Sequence, residues 1–181
     1  MLAFQDEASV CLLPGLARSY APIGRPPVML CDTKNKDYVS ISGAIISNGQ
    51  FYFEVREQEG FKRKGLTRFL TNCRKQLRND LLLIWDNAPA HKSQVVKEYL
   101  AQQSREHPGI WLEHLPTYSP ELNPIEQVWA YLKSKLSNRF FQNTKALKLE
   151  VIRVLKEVKK NKKLIISFFR NHELNCYQFF S

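Results

Sequence analysis

The apolar positions of this chain change period along its length, and the changes divide it into elements. Leu2-Ala3-Phe4-Gln5-Asp6-Glu7 predicts a strand, with Val10 to Leu13 as its hairpin partner. Tyr38 to Ser47 (YVSISGAIIS) alternates and is rich in β-branched residues, which predicts a second strand. Phe51 to Val55 follows it across Ser47-Asn48-Gly49-Gln50, whose Asn-Gly pair is a strong hairpin signal. Between these strands, Tyr20 to Pro27 (YAPIGRPP) carries three prolines and a glycine and predicts an irregular connection.

The period then lengthens. Leu66, Phe69, Leu70, Cys73 and Leu77 fall at helical spacing, with Lys62, Arg63, Lys64, Arg68, Arg74, Lys75 and Arg78 around the rest. Leu81 to Trp85 is apolar at every position, the pattern of a central strand covered on both faces. A helix over Ser93 to Gln103 and a strand over Ile110 to Leu115 follow. The next helix opens at Asn123-Pro124 with Ile125, Val128, Trp129, Leu132 and Leu136 on one stripe. The last starts near Thr144 and buries Leu147, Val151, Val154, Leu155 and Val158. The order β-β-β-α-β-α-β-α-α predicts an α/β fold, a mixed sheet with an antiparallel start and helices on both faces.

Size and charge narrow the function classes. A chain of 181 residues fits one domain and buries roughly 70% of the surface its unfolded form exposes. Lys and Arg number 27 against 17 acidic residues, and a surplus of +10 attracts polyanions, of which nucleic acid is the commonest. Charge alone makes nucleic acid plausible and no more. Cys11, Cys31, Cys73 and Cys176 are too scattered for a zinc knuckle or redox dithiol, and free thiols of the cytosol are the economical reading. No basic leader precedes an apolar run at the N-terminus, and no apolar run nears the ~20 residues needed to span a bilayer. A cytoplasmic protein with no membrane partner is expected.

Three acids stand out by position. Asp6 lies within or just past the first strand; Asp86 directly follows Leu81 to Trp85, at the strand edge where open α/β sheets bind ligands; Glu126 lies in the first turn of a helix. Carboxylate oxygens are the ligands Mg²⁺ and Mn²⁺ prefer, and two such ions ~3.5–4 Å apart can act on one phosphate. Each acid also has an ordinary role: Asp6-Glu7 as a solvated strand end, Asp86-Asn87-Ala88-Pro89 as a turn, and Glu126 as the partner of an Asn123 N-cap in a capping box. Composition and spacing leave both readings open.

The segments WDNAPAH (Trp85 to His91) and LPTYSPELNPIEQVWAYLK (Leu115 to Lys133) resemble the signature of mariner-like transposases and their bacterial insertion-sequence relatives, the DDE endonucleases. The resemblance implies a ribonuclease-H-like fold over residues 1–181 as one catalytic domain, with a helical C-terminal part from about 144. It implies a metal site in which Asp86 is the second acid and Glu126, in NPIE, the third. Phe4-Gln5-Asp6-Glu7 fits the family's first strand, making Asp6 the first acid and Glu7 its neighbour. The likeness continues through YAPIGRPP and FFRNH (Phe168 to His172). It implies Mg²⁺ or Mn²⁺, two ions, as cofactor and double-stranded DNA as partner. The implied reactions are hydrolysis at transposon ends and 3′-hydroxyl strand transfer into target DNA at TA dinucleotides.

Asn87 and Asn123 are expected to support the acids, and His91 to reach a phosphate, orient water, or simply cap or pack. Tyr118, Ser119 and Pro120 are expected to shape the loop that delivers Glu126. Lys156, Lys159, Lys160, Lys162 and Lys163 form a face that is ordinarily solvated but in this setting suits phosphate-backbone contact.

Two departures bear on the expectation. Relatives carry an N-terminal helix-turn-helix that recognises element ends, whereas here the first acid is six residues from the start. The expectation is therefore the downstream half of a split gene, with a separate recognition polypeptide, or a truncated remnant; a homodimer fits either. Tyr20 stands where relatives often have Trp. The rival is an inactive remnant binding nucleic acid non-specifically. A phospho-acceptor domain would want a further Asp at a strand end before residue 80, and Tyr38 to Ser47 has none.

Overall fold

The computed structural model describes residues 1–13, 15–28, 37–117 and 119–170. Cys31, Cys176, Tyr118 and the His172 end of FFRNH lie outside the described residues. Five strands form one mixed sheet: β1 (Leu2–Cys11), β2 (Tyr38–Ile46), β3 (Phe51–Glu57), β4 (Leu81–Trp85) and β5 (Ile110–His114), in the order β3-β2-β1-β4-β5. β1, β2 and β3 pair antiparallel, whereas β4 is parallel to both β1 and β5. Five helices complete the fold: α1 (Arg63–Arg74), α2 (Gln94–Gln103), α3 (Ile125–Leu136), α4 (Thr144–Lys160) and α5 (Lys162–Phe168).

The expected hairpin within the first thirteen residues is absent. β1 runs unbroken to Cys11 because Ala8 and Ser9 offer no residue suited to a two-residue turn, while β2 pairs with it at every position from Ala3 to Cys11. The hairpin does form at Asn48-Gly49, where Gly49 takes φ +85°. β4 lies second from the edge; its Leu81, Leu83 and Trp85 are buried, but Leu82 is exposed.

Helices cover both faces, as the element order predicts. On one face α1 and α2 pack Phe69, Leu70, Cys73, Val96 and Leu100 against Ala3, Ala44, Leu83 and Trp85. On the other, α3, α4 and α5 pack Val128, Trp129, Leu147, Val151, Leu155 and Ile165 against Phe4, Ile41, Ile45 and Phe51. The last helix is two helices. Asn161 breaks it, and its side chain accepts a hydrogen bond from Leu164 N at 3.0 Å to cap α5. Cys11 is an exposed free thiol and Cys73 a buried one, whose burial pushes it up to about 12. Among the described residues no helix is long and apolar enough to cross a membrane.

Candidate active site

The parallel pairing of β1 with β4 covers only Leu2 to Phe4 against Leu82 to Ile84. Continued by two residues, that register brings Asp6 level with Asp86, just where the two strands stop pairing. A crevice opens there, at the carboxyl ends of parallel strands, the position where α/β sheets bind ligands. Asp6, Asp86, Asn87, Ser119, Asn123 and Glu126 line this cleft of about 350 Å³. Three acids far apart in sequence thus share one wall.

Asp6 is held tightly. Trp129 Nε1 donates to its Oδ2 at 3.0 Å and the Glu7 backbone N–H to its Oδ1 at 2.7 Å. Burial nevertheless pushes this carboxyl up to about 7, against both hydrogen bonds, with the charges of Glu7 and Glu126 adding to the rise. Glu126 is therefore close enough for its charge to be felt at Asp6. Trp129 follows Glu126 by three residues on α3, so one helical face carries both the third acid and the clamp on the first. Gly43 makes room for it: a Cβ there would lie 2.7 Å from Trp129 Cη2. An isolated glycine inside a strand pattern signals such a close approach, and Gly43 in YVSISGAIIS carried that signal.

Asp86 accepts from Ala88 N at 2.9 Å, and its side chain is about half exposed to the cleft. Asn87 Nδ2 donates to Leu115 O at 2.7 Å, tying the end of β4 to the end of β5. His91 lies beneath the acids rather than on the cleft wall. It is 1% exposed, stacks on Trp85 at 4.2 Å, and bridges Glu7 Oε2 (3.1 Å from Nε2) and Asp86 Oδ1 (2.6 Å from Nδ1). Direct reach to a phosphate is thus denied it; packing and orientation of two carboxylates are what its position allows. Burial opposes its protonation, but the hydrogen bond and charge of Glu7 and the charge of Asp86 outweigh that and raise its pKa.

The capping box is not formed. α3 begins at Ile125 with no side-chain cap, after a 3₁₀ turn at Pro120–Leu122. Asn123 contributes its backbone carbonyl to Glu126 N at 3.0 Å, while its side chain is buried with Oδ1 lacking any partner. Among the described residues, nothing hydrogen-bonds the Glu126 carboxylate, which is left to the cleft.

These donors fit a hard divalent cation. The wall offers carboxylate oxygens and one orphaned amide oxygen, and a buried Asp6 with raised proton affinity is stabilised by a cation in place of its proton. Among the described residues no three His, Cys, Asp or Glu side chains are gathered into a ready-made metal cluster. Mg²⁺ asks for less, since it keeps several waters and takes one or two carboxylates plus substrate phosphate.

The expected lysine face lies elsewhere. Lys156, Lys159, Lys160, Lys162 and Lys163 are exposed on α4 and α5, split between two helices by Asn161. Lys159 sits over the Tyr52 ring, and the Lys162 carbonyl approaches Gly49, so this cluster borders the β2–β3 hairpin. That hairpin is at the end of the sheet opposite the acids, because Ile46 pairs with Ala3 near the start of β1.

Sheet order, helices on both faces and the acid-lined crevice define a ribonuclease-H-like α/β domain. The fold is similar to that of the Mos1 strand transfer complex (TM-score 0.72, 20% identity, 96% of this chain and 51% of that chain). It is also similar to the Mos1 mariner paired end complex with Mn (0.72, 19%, 96% and 52%) and to the Mos1 transposase catalytic domain with Raltegravir and Mg (0.66, 17%, 96% and 77%). The chain spans about half the length of the Mos1 chains in the two DNA complexes. No curated protein matches its sequence. The DDE superfamily endonuclease model matches residues 1–148, and the chain belongs to that family.

Proposed function

We propose that this chain is the catalytic domain of a DNA transposase, with Asp6, Asp86 and Glu126 holding divalent Mg²⁺ or Mn²⁺, two ions in the working site. The observation that carries the reading is the convergence of these three acids on one cleft where β1 and β4 part. Bound ions would neutralise charge on the scissile phosphate and favour the attacking and leaving oxygens.

The chain's own residues position that chemistry. Trp129 and the Glu7 N–H fix the rotamer of Asp6. His91 and the Ala88 N–H fix Asp86, and the Asn87 tether holds its loop against β5. Glu126 reaches the cleft from the first turn of a helix anchored by Trp129. Phosphoryl transfer asks mainly for such positioning and charge. The proposed sequence is attack of water on the phosphodiester at the transposon end, releasing a 3′-hydroxyl. That hydroxyl then attacks a target phosphodiester, forming one P–O bond as another breaks. Double-stranded DNA is the partner; a homodimer and a recognition segment outside this chain belong to the same reading, supported by the paired-end assemblies of Mos1.

Nicking of supercoiled plasmid by purified protein, in Mg²⁺ or Mn²⁺ against chelator, tests it. Asp86→Asn and Glu126→Gln are each expected to reduce nicking by about a hundredfold or more, the scale on which loss of a charge-stabilising group acts. Nicking that persists in both variants, with folding preserved, would sink the assignment. DNA binding without any nicking would favour the inactive remnant.

A further inference from the structure

A second cavity, about 700 Å³, lies on the other side of the loop that carries Asp86. Arg56, Glu59, Phe61, Lys62, Lys64 and Pro89 line it, with Gly65 and Ala90. Asp86, Asn87 and Ala88 face the acid cleft while Pro89 and Ala90 face this groove, so the loop is a ridge between the two. The groove is at the acid end of the sheet: Arg56 pairs with Ser40, and Ser40 with Ser9 near the end of β1.

Arg56 is built into this place. Its side chain is 10% exposed, its guanidinium lies 4.2 Å from the centroid of Phe61, and Nε bonds Glu54 at 3.0 Å. Nη2 is buried 2.9 Å from the same Glu54 oxygen, and Nη1 donates to Glu59 Oε1 at 3.4 Å, so carboxylates face all three guanidinium nitrogens. Gly65, in the first turn of α1, leaves the space: a Cβ there would meet Arg56 Nη1 at 2.9 Å. Lys62 and Lys64 are exposed beside it and form no ion pair among the described residues. α1 starts here with no acidic residue in its first turn and no side-chain cap, so its positive dipole end adds to the field. In the groove lining Arg56 is offset by Glu59 and by Glu54 beside it, which leaves Lys62 and Lys64 as the surplus cations.

We propose that this groove is a subsite for the nucleic-acid backbone, seating phosphates of the strand that crosses the Asp86 ridge from the acid cleft. Lys62 and Lys64 contact phosphate oxygens from the rim, while Arg56, held by Glu54, Glu59 and Phe61, forms the floor beneath them. Such contacts are independent of base sequence. The proposal rests on the reading that DNA is the substrate, and goes beyond it by placing the strand.

Fluorescence anisotropy of a short labelled duplex with the full chain, in chelator across a salt series, tests it without requiring turnover. Lys62 and Lys64 are exposed, so Lys62→Gln/Lys64→Gln leaves the fold intact. Each lost phosphate contact lowers the salt slope by about 1, so the double variant is expected to lose about 2 and to bind more weakly at low salt. Lys162→Gln/Lys163→Gln, at the far end of the sheet, is expected to keep the wild-type slope. A Lys62/Lys64 variant with the wild-type slope overturns the groove while leaving the nuclease reading to the nicking assay. Wild-type protein that binds no DNA overturns both.

Discussion

At the hairpin end of the sheet, Lys159, Lys160, Lys162 and Lys163 stand exposed around Gly49 and Tyr52, adjacent in sequence and solvated. At the acid end, the cationic groove draws Arg56 from β3 and Lys62 and Lys64 from the start of α1, with a glycine shaped to the arginine. The acids there are assembled the same way, from β1, the end of β4 and α3, with Trp129 and His91 as braces. The first end is a charge run; the second is a construction from distant segments, in which Asp6, Asp86 and Arg56 are each held by a neighbour. The lysines follow one another along the chain, whereas the charges at the acid end are distinguished by what is fitted around them.

Four substitutions or conditions sharpen that contrast. The largest effect is expected from Trp129→Ala, which leaves a cavity and strips Asp6 of its indole donor. Denaturant unfolding should show a loss of roughly 3–5 kcal/mol. A loss close to zero would mean that the acid end is no more tightly built than the lysine end. Next is the pH dependence of the metal-free protein. The folded Asp6 carboxyl is raised from 3.8 to about 7, so the folded state favours its protonated form. Its contribution to stability is fully present below pH 3.8 and is lost as pH rises to about 7, on the order of 4 kcal/mol at most. Thermal unfolding in chelator should therefore show Asp6→Asn gaining on wild type across that window, and parallel curves would refute the burial argument.

Gly43→Ala should cost about 1–3 kcal/mol, because a methyl there overlaps the Trp129 ring. Its cost should shrink in a Trp129→Phe background, and additive effects would show that the two sites are not in contact. The smallest effect is expected at the far end: Lys160→Gln/Lys163→Gln should change stability by less than about 0.5 kcal/mol, as measured by the same unfolding curves.

Much of the fold was legible in the chain. β2, β3 and β4 follow from alternation, the Asn-Gly turn and an apolar run, since these signals are local. The length of β1 was not, because what extends it past Ser9 is a partner strand some thirty residues away, set by long-range pairing. Asp86 and Glu126 were legible as a strand end and a helix start. Glu126 has no capping role because a 3₁₀ turn enters α3 and buries Asn123, a geometry that Asn-Pro spacing does not reveal. His91 was named, but its role depends on a stack with Trp85 and a bridge to Glu7, a residue 84 positions away. Trp129 read as one apolar residue in a stripe; its N–H partner on β1 is invisible to periodicity. The groove is illegible for the same reason: Arg56 and Gly65 acquire meaning only when placed against each other.

The three tryptophans divide usefully. Trp129 donates to Asp6, and Trp85 stacks on the imidazole that contacts Asp86, while Trp111, on β5, is 40% exposed and bonds to no acid among the described residues. Two of the three indole fluorophores therefore touch the cleft's chemistry, and the third serves as an internal reference. The protein carries its own optical gauge of the site: emission from the buried pair should respond when the acids exchange protons or ions, with no label attached.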